Sequence, residues 1–551
     1  MPAAPTGLNV TYGIKSYSFS WGAAAGATRY ELFEDADGAG PALAAQIAST
    51  NGTTSHTVEL PLLHERVNAQ YSVRACNGAG CSALSATVQP DLRRAIGYLK
   101  ASNTQADDHF GIAVAVSADG STLAVGALNE DSGADGVNGD QSDNSQSAAG
   151  AVYVFVRANG TWTQQAYIKA SNSRNPAAFG RSLTLSADGN TLGVGAPSEN
   201  SGADGIDGNQ ADTSAQNAGA VYVFTRSAGA WSQQAYVKAS ASEAFDSFGW
   251  DVSLSADGQT LAVGAPGSNM AGRVYVFTRT SASWTQQAIV SASNANPGDA
   301  FGVSVRLSAD ASRMIVGAPM EASAASGVNA NPFDNSRPGA GAAYVFRRSS
   351  GVWSQDAYLK ASNATVARSF GVSVAISGDG LTVVVGAPGE SSASTGINGS
   401  QLESGLTQAG AAYVFATNGA AWSQQAYVKA SNTDAYDRFG DRVALSADGH
   451  RLAIAAPDER SAATGISGDQ TDNSRAAGAV YVFGRSGSAW TQHGYLKASN
   501  TRGGSFGFGL SLSADGRTLA SGDPLESSNA VGVQGDHDNG SAPGAGAVYL
   551  Y

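Results

Sequence analysis

A glutamate recurs at six places in the chain: Glu130, Glu199, Glu321, Glu390, Glu459 and Glu526. Each follows a short apolar run and precedes a Gly-rich stretch with oxygen-bearing side chains. These stretches read GVNGDQSD from Gly136, GIDGNQAD from Gly205, GVNANPFD from Gly327, GINGSQLE from Gly396, GISGDQTD from Gly465 and GVQGDHD from Gly532. Ca2+ takes six to eight oxygen ligands at flexible geometry, and acidic Gly-rich loops supply such ligands. The candidate cation ligands are therefore Glu130, Asn138, Asp140 and Asp143; Glu199, Asp207 and Asp212; Glu321 and Asp334; Glu390 and Glu403; Glu459, Asp469 and Asp472; and Glu526 and Asp536. The same residue types can also accept backbone N–H bonds and hold a long loop together without metal. Charge is not kept from stretch to stretch: Asn329, Asn331 and Asp334 in one correspond to Asn398, Ser400 and Glu403 in the next. Both readings stand at this point.

Other chemistry is scarce. The six histidines share no position, and no HExxH, CxxC, GxSxG or phosphate-cradling Gly-rich loop occurs. Near-identical units also argue against one dedicated active site, so the chain is expected not to be an enzyme. A glycosidase-like carboxylate pair is the residual alternative. The net charge of −13 has the wrong sign for nucleic acid or an anionic membrane. No apolar run is long enough to span a bilayer as a helix. The first residues lack the charged and apolar regions of a signal peptide, so export would require an upstream segment.

The elements that position the glutamates repeat. Phe-Gly occurs at residues 110, 179, 248, 301, 370, 439 and 506, with spacings of 69, 69, 53, 69, 69 and 67 residues. Each unit reads Phe-Gly and an alternating run, a turn such as SADG, a second run ending near GAP, a polar loop, AGAVYVF, a short turn, and W-[ST]-Q-Q-A-Y-x-K-A-S. That is four strands per unit, and seven such units predict a β-propeller. The last unit stops after its third strand, at Tyr551, while the orphan segment GYLKAS at 97–102 matches the missing fourth. The segment is expected to close the seventh blade.

Phe-Gly followed by Gly195-Ala196-Pro197, Gly264-Ala265-Pro266, Gly317-Ala318-Pro319 and Gly386-Ala387-Pro388 resembles the FG-GAP repeats of integrin α-subunit propellers and related bacterial surface proteins. The resemblance implies a binding or adhesion role. It does not extend to that family's calcium cage in the first-to-second turn, because here a single carboxylate (Asp119, Asp188, Asp257, Asp310, Asp379, Asp448 or Asp515) occupies the turn. Residues 1–92 carry short alternating runs. The placement of Trp21, Tyr30, Leu60 and Tyr71 resembles a fibronectin type III domain. Cys76 and Cys81 flank the turn NGAG, at a spacing that admits a disulfide; two free thiols are the alternative.

The expected architecture is all-β: a fibronectin type III-like sandwich over 1–92, then a seven-bladed FG-GAP propeller over 93–551. The long second-to-third loops gather on one face, and the third unit has only GSNMAGR there. Six lysines (Lys100, Lys169, Lys238, Lys360, Lys429 and Lys497) fall on fourth strands, where lysine can blunt an exposed edge. A ring of positive charge is the alternative reading. The six Trp of W-[ST]-Q read as packing between blades rather than as sugar platforms. The functional expectation is a secreted or cell-surface protein that recognises a protein or glycan through the long-loop face, with Ca2+ as the cofactor the loops could hold. It would act as a monomer or as part of a larger surface protein. A structural spacer is the alternative.

Overall fold

The computed structural model describes residues 1–40, 44–364, 368–402, 405–500 and 503–551. Among them, helix is confined to turns of three or four residues. Residues 9–81 form two antiparallel sheets. One has three strands, in the order Asn9–Gly13, Ser16–Ser20, Ser55–Glu59. The other has four, in the order Ala45–Thr50, Arg29–Asp35, Gln70–Asn77, Gly80–Cys81. Trp21, Tyr30, Leu60 and Tyr71 lie buried between them. Cys76 and Cys81 face each other across the last hairpin and are disulfide-bonded.

From residue 97 on there are seven four-stranded antiparallel sheets, here numbered 1 to 7 in chain order. Sheet 1 comprises Phe110–Val116, Thr122–Ala127, Ala151–Ala158 and Thr161–Ile168. Sheets 2, 4, 5 and 6 span residues 182–237, 304–359, 374–428 and 442–496. Sheet 3 comprises Val252–Leu254, Thr260–Ala265, Arg273–Thr280 and Ser283–Val290. Sheet 7 takes Gly509–Leu512, Leu519–Asp523 and Ala547–Leu550 from the end of the chain and Gly97–Leu99 from its start. Tyr98 sits opposite Tyr549 in that pairing. The first strands of neighbouring sheets touch in sequence, and the first strand of sheet 7 touches that of sheet 1, so the ring is closed.

The recurring glycines follow from that ring. A Cβ on Gly126 of sheet 1 would stand 2.1 Å from the carbonyl oxygen of Gly180, and one on Gly195 would stand 2.1 Å from that of Gly249. The glycine of the GAP-type run thus lets its sheet approach the Phe-Gly turn of the next in every sheet but the sixth, where Ala455 takes the position. The adjoining phenylalanine packs edge-on against a third-strand tyrosine: Phe110 on Tyr153 at 5.4 Å, Phe439 on Tyr481 at 5.2 Å. The tryptophans latch sheets together, since Trp231 Nε1 donates to Gln165 of sheet 1 at 3.0 Å and Trp490 Nε1 donates to Gln425 at 3.1 Å.

The two regions share a core: Leu63, Leu92 and Ile96 cluster with Val480, Leu496 and Tyr549. Buried Lys15 donates to the carbonyls of Pro61, at 3.2 Å, and Tyr551, at 2.9 Å. Arg157 pairs with Glu59. These contacts use the short-turn side and outer strands of the ring near sheets 6, 7 and 1. The N-terminal sandwich therefore leaves most of the long-loop side uncovered.

Candidate functional site

In each sheet the end of the second strand lies beside the start of the first, as in the pairing of Ala127 with Phe110. The long loops that leave second strands and the Phe-Gly turns therefore share one side of the ring.

The six recurring glutamates lie just inside those loops; a lysine and an asparagine engage every one, and a tyrosine and a backbone N–H engage some of them. A lysine of the same sheet's fourth strand pairs with each: Lys169 with Glu130, Lys238 with Glu199, Lys360 with Glu321, Lys429 with Glu390, Lys497 with Glu459 and Lys100 with Glu526. The distances run from 2.6 to 3.0 Å. An asparagine from the preceding connection donates Nδ2 to each: Asn103, Asn172, Asn294, Asn363, Asn432 and Asn500. A fourth-strand tyrosine donates in sheets 1, 4 and 6, at 2.7 to 2.9 Å. A backbone N–H two residues on, such as that of Ser132, supplies another bond. Each asparagine's Oδ1 in turn accepts from a third-strand tyrosine, as from Tyr344 at 2.8 Å.

The lysines are not an edge device. Lys100, Lys169, Lys238, Lys360 and Lys429 are wholly buried, with 0% exposure. A lysine that blunts an edge must reach water, and these point inward to a carboxylate. Burial pulls their pKa values down, and the partner glutamate works against that pull. The ring of surface positive charge falls for the same reason.

The edge is covered by the loop. Asn138 N donates to Tyr167 O at 2.7 Å, and Tyr167 N donates to Asn138 Oδ1 at 3.0 Å. Asp207, Asn329 and Asn398 repeat this clip, and Gln534 does so on Tyr98. All of these residues have positive φ, which Asn and Asp tolerate. The remaining candidates close local turns. Asp140, Asp143, Asp212, Asp334, Asp469, Asp472 and Asp536 each accept the N–H two residues ahead, at 2.8 to 3.0 Å. Glu403 lies outside the described residues. Among the described residues, none of these candidates belongs to a group of three whose donor atoms lie within 4.8 Å of one another.

Sheet 3 has none of this apparatus. Its second-to-third loop is short. Ala241 stands where the asparagine would be, Ile289 in place of the tyrosine and Ser291 in place of the lysine. Four large apolar side chains around this sheet are exposed: Phe245 (58%), Met270 (72%), Ile289 (45%) and Met320 (53%). Backbone bonds tie the segments that carry three of them: Gly267 N to Asp246 O, Gly298 N to Met270 O and Met320 N to Asp299 O.

A second feature lies on the axis. The residue after each Phe-Gly is Ile112, Arg181, Trp250, Val303, Val372, Asp441 or Phe508, so this position changes type from unit to unit while its neighbours are kept. All of these but Asp441, with the next residues, line a cavity of about 170 Å³ at the long-loop end of the ring. Arg181 stacks on Trp250 and Arg442 on Phe508, each at 4.8 Å. Arg306 pairs with Asp251 at 2.6 Å, and Arg442 with Asp441 at 2.8 Å. Sequence reading did not find Arg181, Arg442 or Phe508. The varying position after Phe-Gly was the signal that would have found them.

Residues 231–277, 284–346, 353–415 and 422–483 match the FG-GAP repeat family model. No curated protein sequence is similar to this chain. Among solved structures it is similar to the β-propeller domain of Cps50 (Swd1) from Myceliophteria thermophila, at 10% identity and TM-score 0.44, covering 83% of this chain and 99% of that one. It is also similar to the periplasmic gluconolactonase PpgL of Pseudomonas aeruginosa, at 15% identity and TM-score 0.41, covering 86% of this chain and 97% of that one. The RRP9 WD40 repeats match at 8% identity and TM-score 0.44, covering 83% of this chain and 97% of that one.

Proposed function

We propose that residues 93–551 are a seven-bladed, integrin-like FG-GAP propeller, that residues 1–92 are a fibronectin type III-like domain, and that the chain is a binding module of a secreted or surface-displayed protein. It recognises a protein or glycan through the long-loop face and performs no catalysis. The observation that carries this reading is the interrupted rim. Six loops are held by buried clamps, and around the one sheet without a clamp Phe245, Met270, Ile289 and Met320 are exposed. Apolar side chains gathered at one place on a polar surface mark contact sites more often than chance exposure does. The disulfide fits an oxidising compartment. The loops hold themselves without Ca2+, because their carboxylates already have donors.

A panel of glycans and extracellular matrix proteins, screened with the native chain and with Phe245→Glu/Met270→Glu, tests the proposal. Binding by the native chain that the double variant loses is the expected result. A partner bound equally by both would move the contact elsewhere. An empty screen would favour the spacer role.

A further inference from the structure

The axial cavity carries an inference independent of any macromolecular partner. Three guanidinium groups, those of Arg181, Arg306 and Arg442, line or reach into it. Two have carboxylate partners, and those carboxylates are committed. Asp251 takes Arg306 together with the N–H groups of Val305, at 2.8 Å, and Val252, at 3.1 Å. Asp441 is shared by Arg442 and Arg438. Arg181 has no ion pair or side-chain hydrogen bond among the described residues; its guanidinium lies over the ring of Trp250.

Arg181 and Arg442 come from sheets 2 and 6, which are not neighbours in the ring. They nonetheless line the same cavity. Burial first, and the Arg442 charge second, pull the Arg181 pKa down to about 10 against the opposing pull of Asp251 and Asp441, so it stays charged at neutral pH. Two like charges held together in a half-buried mouth are unfavourable unless an anion lies between them. The guanidinium fork matches carboxylate and phosphate oxygens, and five N–H donors on Arg181 await acceptors. Trp250 and Phe508 supply flat apolar walls, and Ile112, Val303 and Val372 supply an aliphatic one. The cavity's volume corresponds to about five or six waters.

We infer that this mouth is a binding site for a small organic oxyanion, whose carboxylate or phosphate group sits on Arg181 and Arg442 and whose short carbon body lies against Trp250 and Phe508. Charge counting agrees: three arginines against two aspartates leave one positive charge in excess at the centre of a chain of net charge −13.

Calorimetric titration of the full chain at low ionic strength tests the inference, with acetate, glucuronate, inorganic phosphate and glycerol phosphate as separate probes. One saturable site is expected for at least one probe, weakening as NaCl is added. The carboxylate and phosphate arms identify which oxyanion the site prefers. Arg181→Gln should weaken that binding at least tenfold, while Arg347→Gln, at an exposed position on the third strand of sheet 4, leaves it unchanged. Arg181→Met keeps the apolar stem and serves if the Gln variant fails to fold. A thermal melt adds a second readout. Without anion, either Arg181 variant should melt at or above the native temperature, because a half-buried charge without an ion-pair partner is gone; with anion, only the native chain should gain. No saturable binding by any probe, or equal binding by the native chain and the Arg181 variants, would overturn the inference.

Discussion

Sheet 3 and the other six sheets have the same four-stranded order and the same Phe-Gly turn, yet only the six carry a buried Lys–Glu pair. Sheet 3 lacks the glutamate, the lysine, the tyrosine, the asparagine and the long loop together. The four side chains therefore behave as one device. A buried ion pair gains little net stability over apolar packing, because desolvating two charges offsets their attraction. Breaking one is costly, because it strands a charge. A chain can lose all members of such a clamp at once but not one alone, and sheet 3 is what remains after the joint loss. The comparison also assigns the clamp its task. Where it is present, a long loop is pinned along the fourth strand; where it is absent, that strand's edge is bare and Ile289 is exposed.

The largest effect should come from stranding one partner. Glu321 and Lys360 are both fully buried. Glu321→Ala should cost about 3–5 kcal/mol in urea unfolding, whereas Glu321→Leu with Lys360→Met should fall within about 1–2 kcal/mol of the native chain. A double variant as damaged as the single one would break the parallel with sheet 3.

A graded effect, of at most about 1.4 kcal/mol per pH unit for each group, should appear with pH. Burial pushes Asp108 and Asp437, each two residues before a Phe-Gly, up to about 7, as it does Asp523; it pushes Asp299 to about 6. Folded pKa values above the unfolded ones mean that the stability these groups contribute is complete below about pH 4. It is lost as pH rises through 6 to 7. The melting temperature should therefore fall between pH 5 and pH 8, and Asp437→Asn should flatten the curve. The same position holds Asp246 at sheet 3, also shifted upward by burial, so the response should persist in clamp variants. A melting temperature that rises with pH over this range would contradict the assignment.

The smallest expected effect is that of calcium. Binding to the folded state alone at about 1,000 times Kd would add about 4 kcal/mol per site. Demetallated protein melted with and without millimolar Ca2+ should shift by less than about 1 °C, because the loop glutamates already pair with lysines. A shift of many degrees would restore the cage reading for the six long loops and leave sheet 3 as the one unit without metal.

The strands, turns and closing segment could be read from the sequence, because each unit repeats the same alternation and the same turn glycines. The candidate site could be read only in pieces. The glutamate and the lysine both recur six times, but they lie 38 to 39 residues apart within a unit, except where Lys100 meets Glu526 from the other end of the repeats. Spacing gives no hint that a fourth-strand lysine turns inward under its own loop. The clue was negative: Ser291 and the short loop belong to the same sheet, so the partners vanish together. The axial mouth was harder still. Arg181 and Arg442 are far apart in the chain and meet only because the ring closes.

One graft tests the central claim most directly. In sheet 2, the loop after Pro197 is replaced by the short Gly267–Ala271 segment of sheet 3, with Asn172→Ala, Tyr236→Ile and Lys238→Ser, and its urea unfolding is compared with that of Glu199→Gln. If the clamp is a single device, the graft unfolds within about 2 kcal/mol of the native chain and is more stable than the single substitution. A graft less stable than Glu199→Gln, or one that fails to fold, would show that the Lys–Glu clamp holds up the ring itself and that sheet 3 survives for another reason.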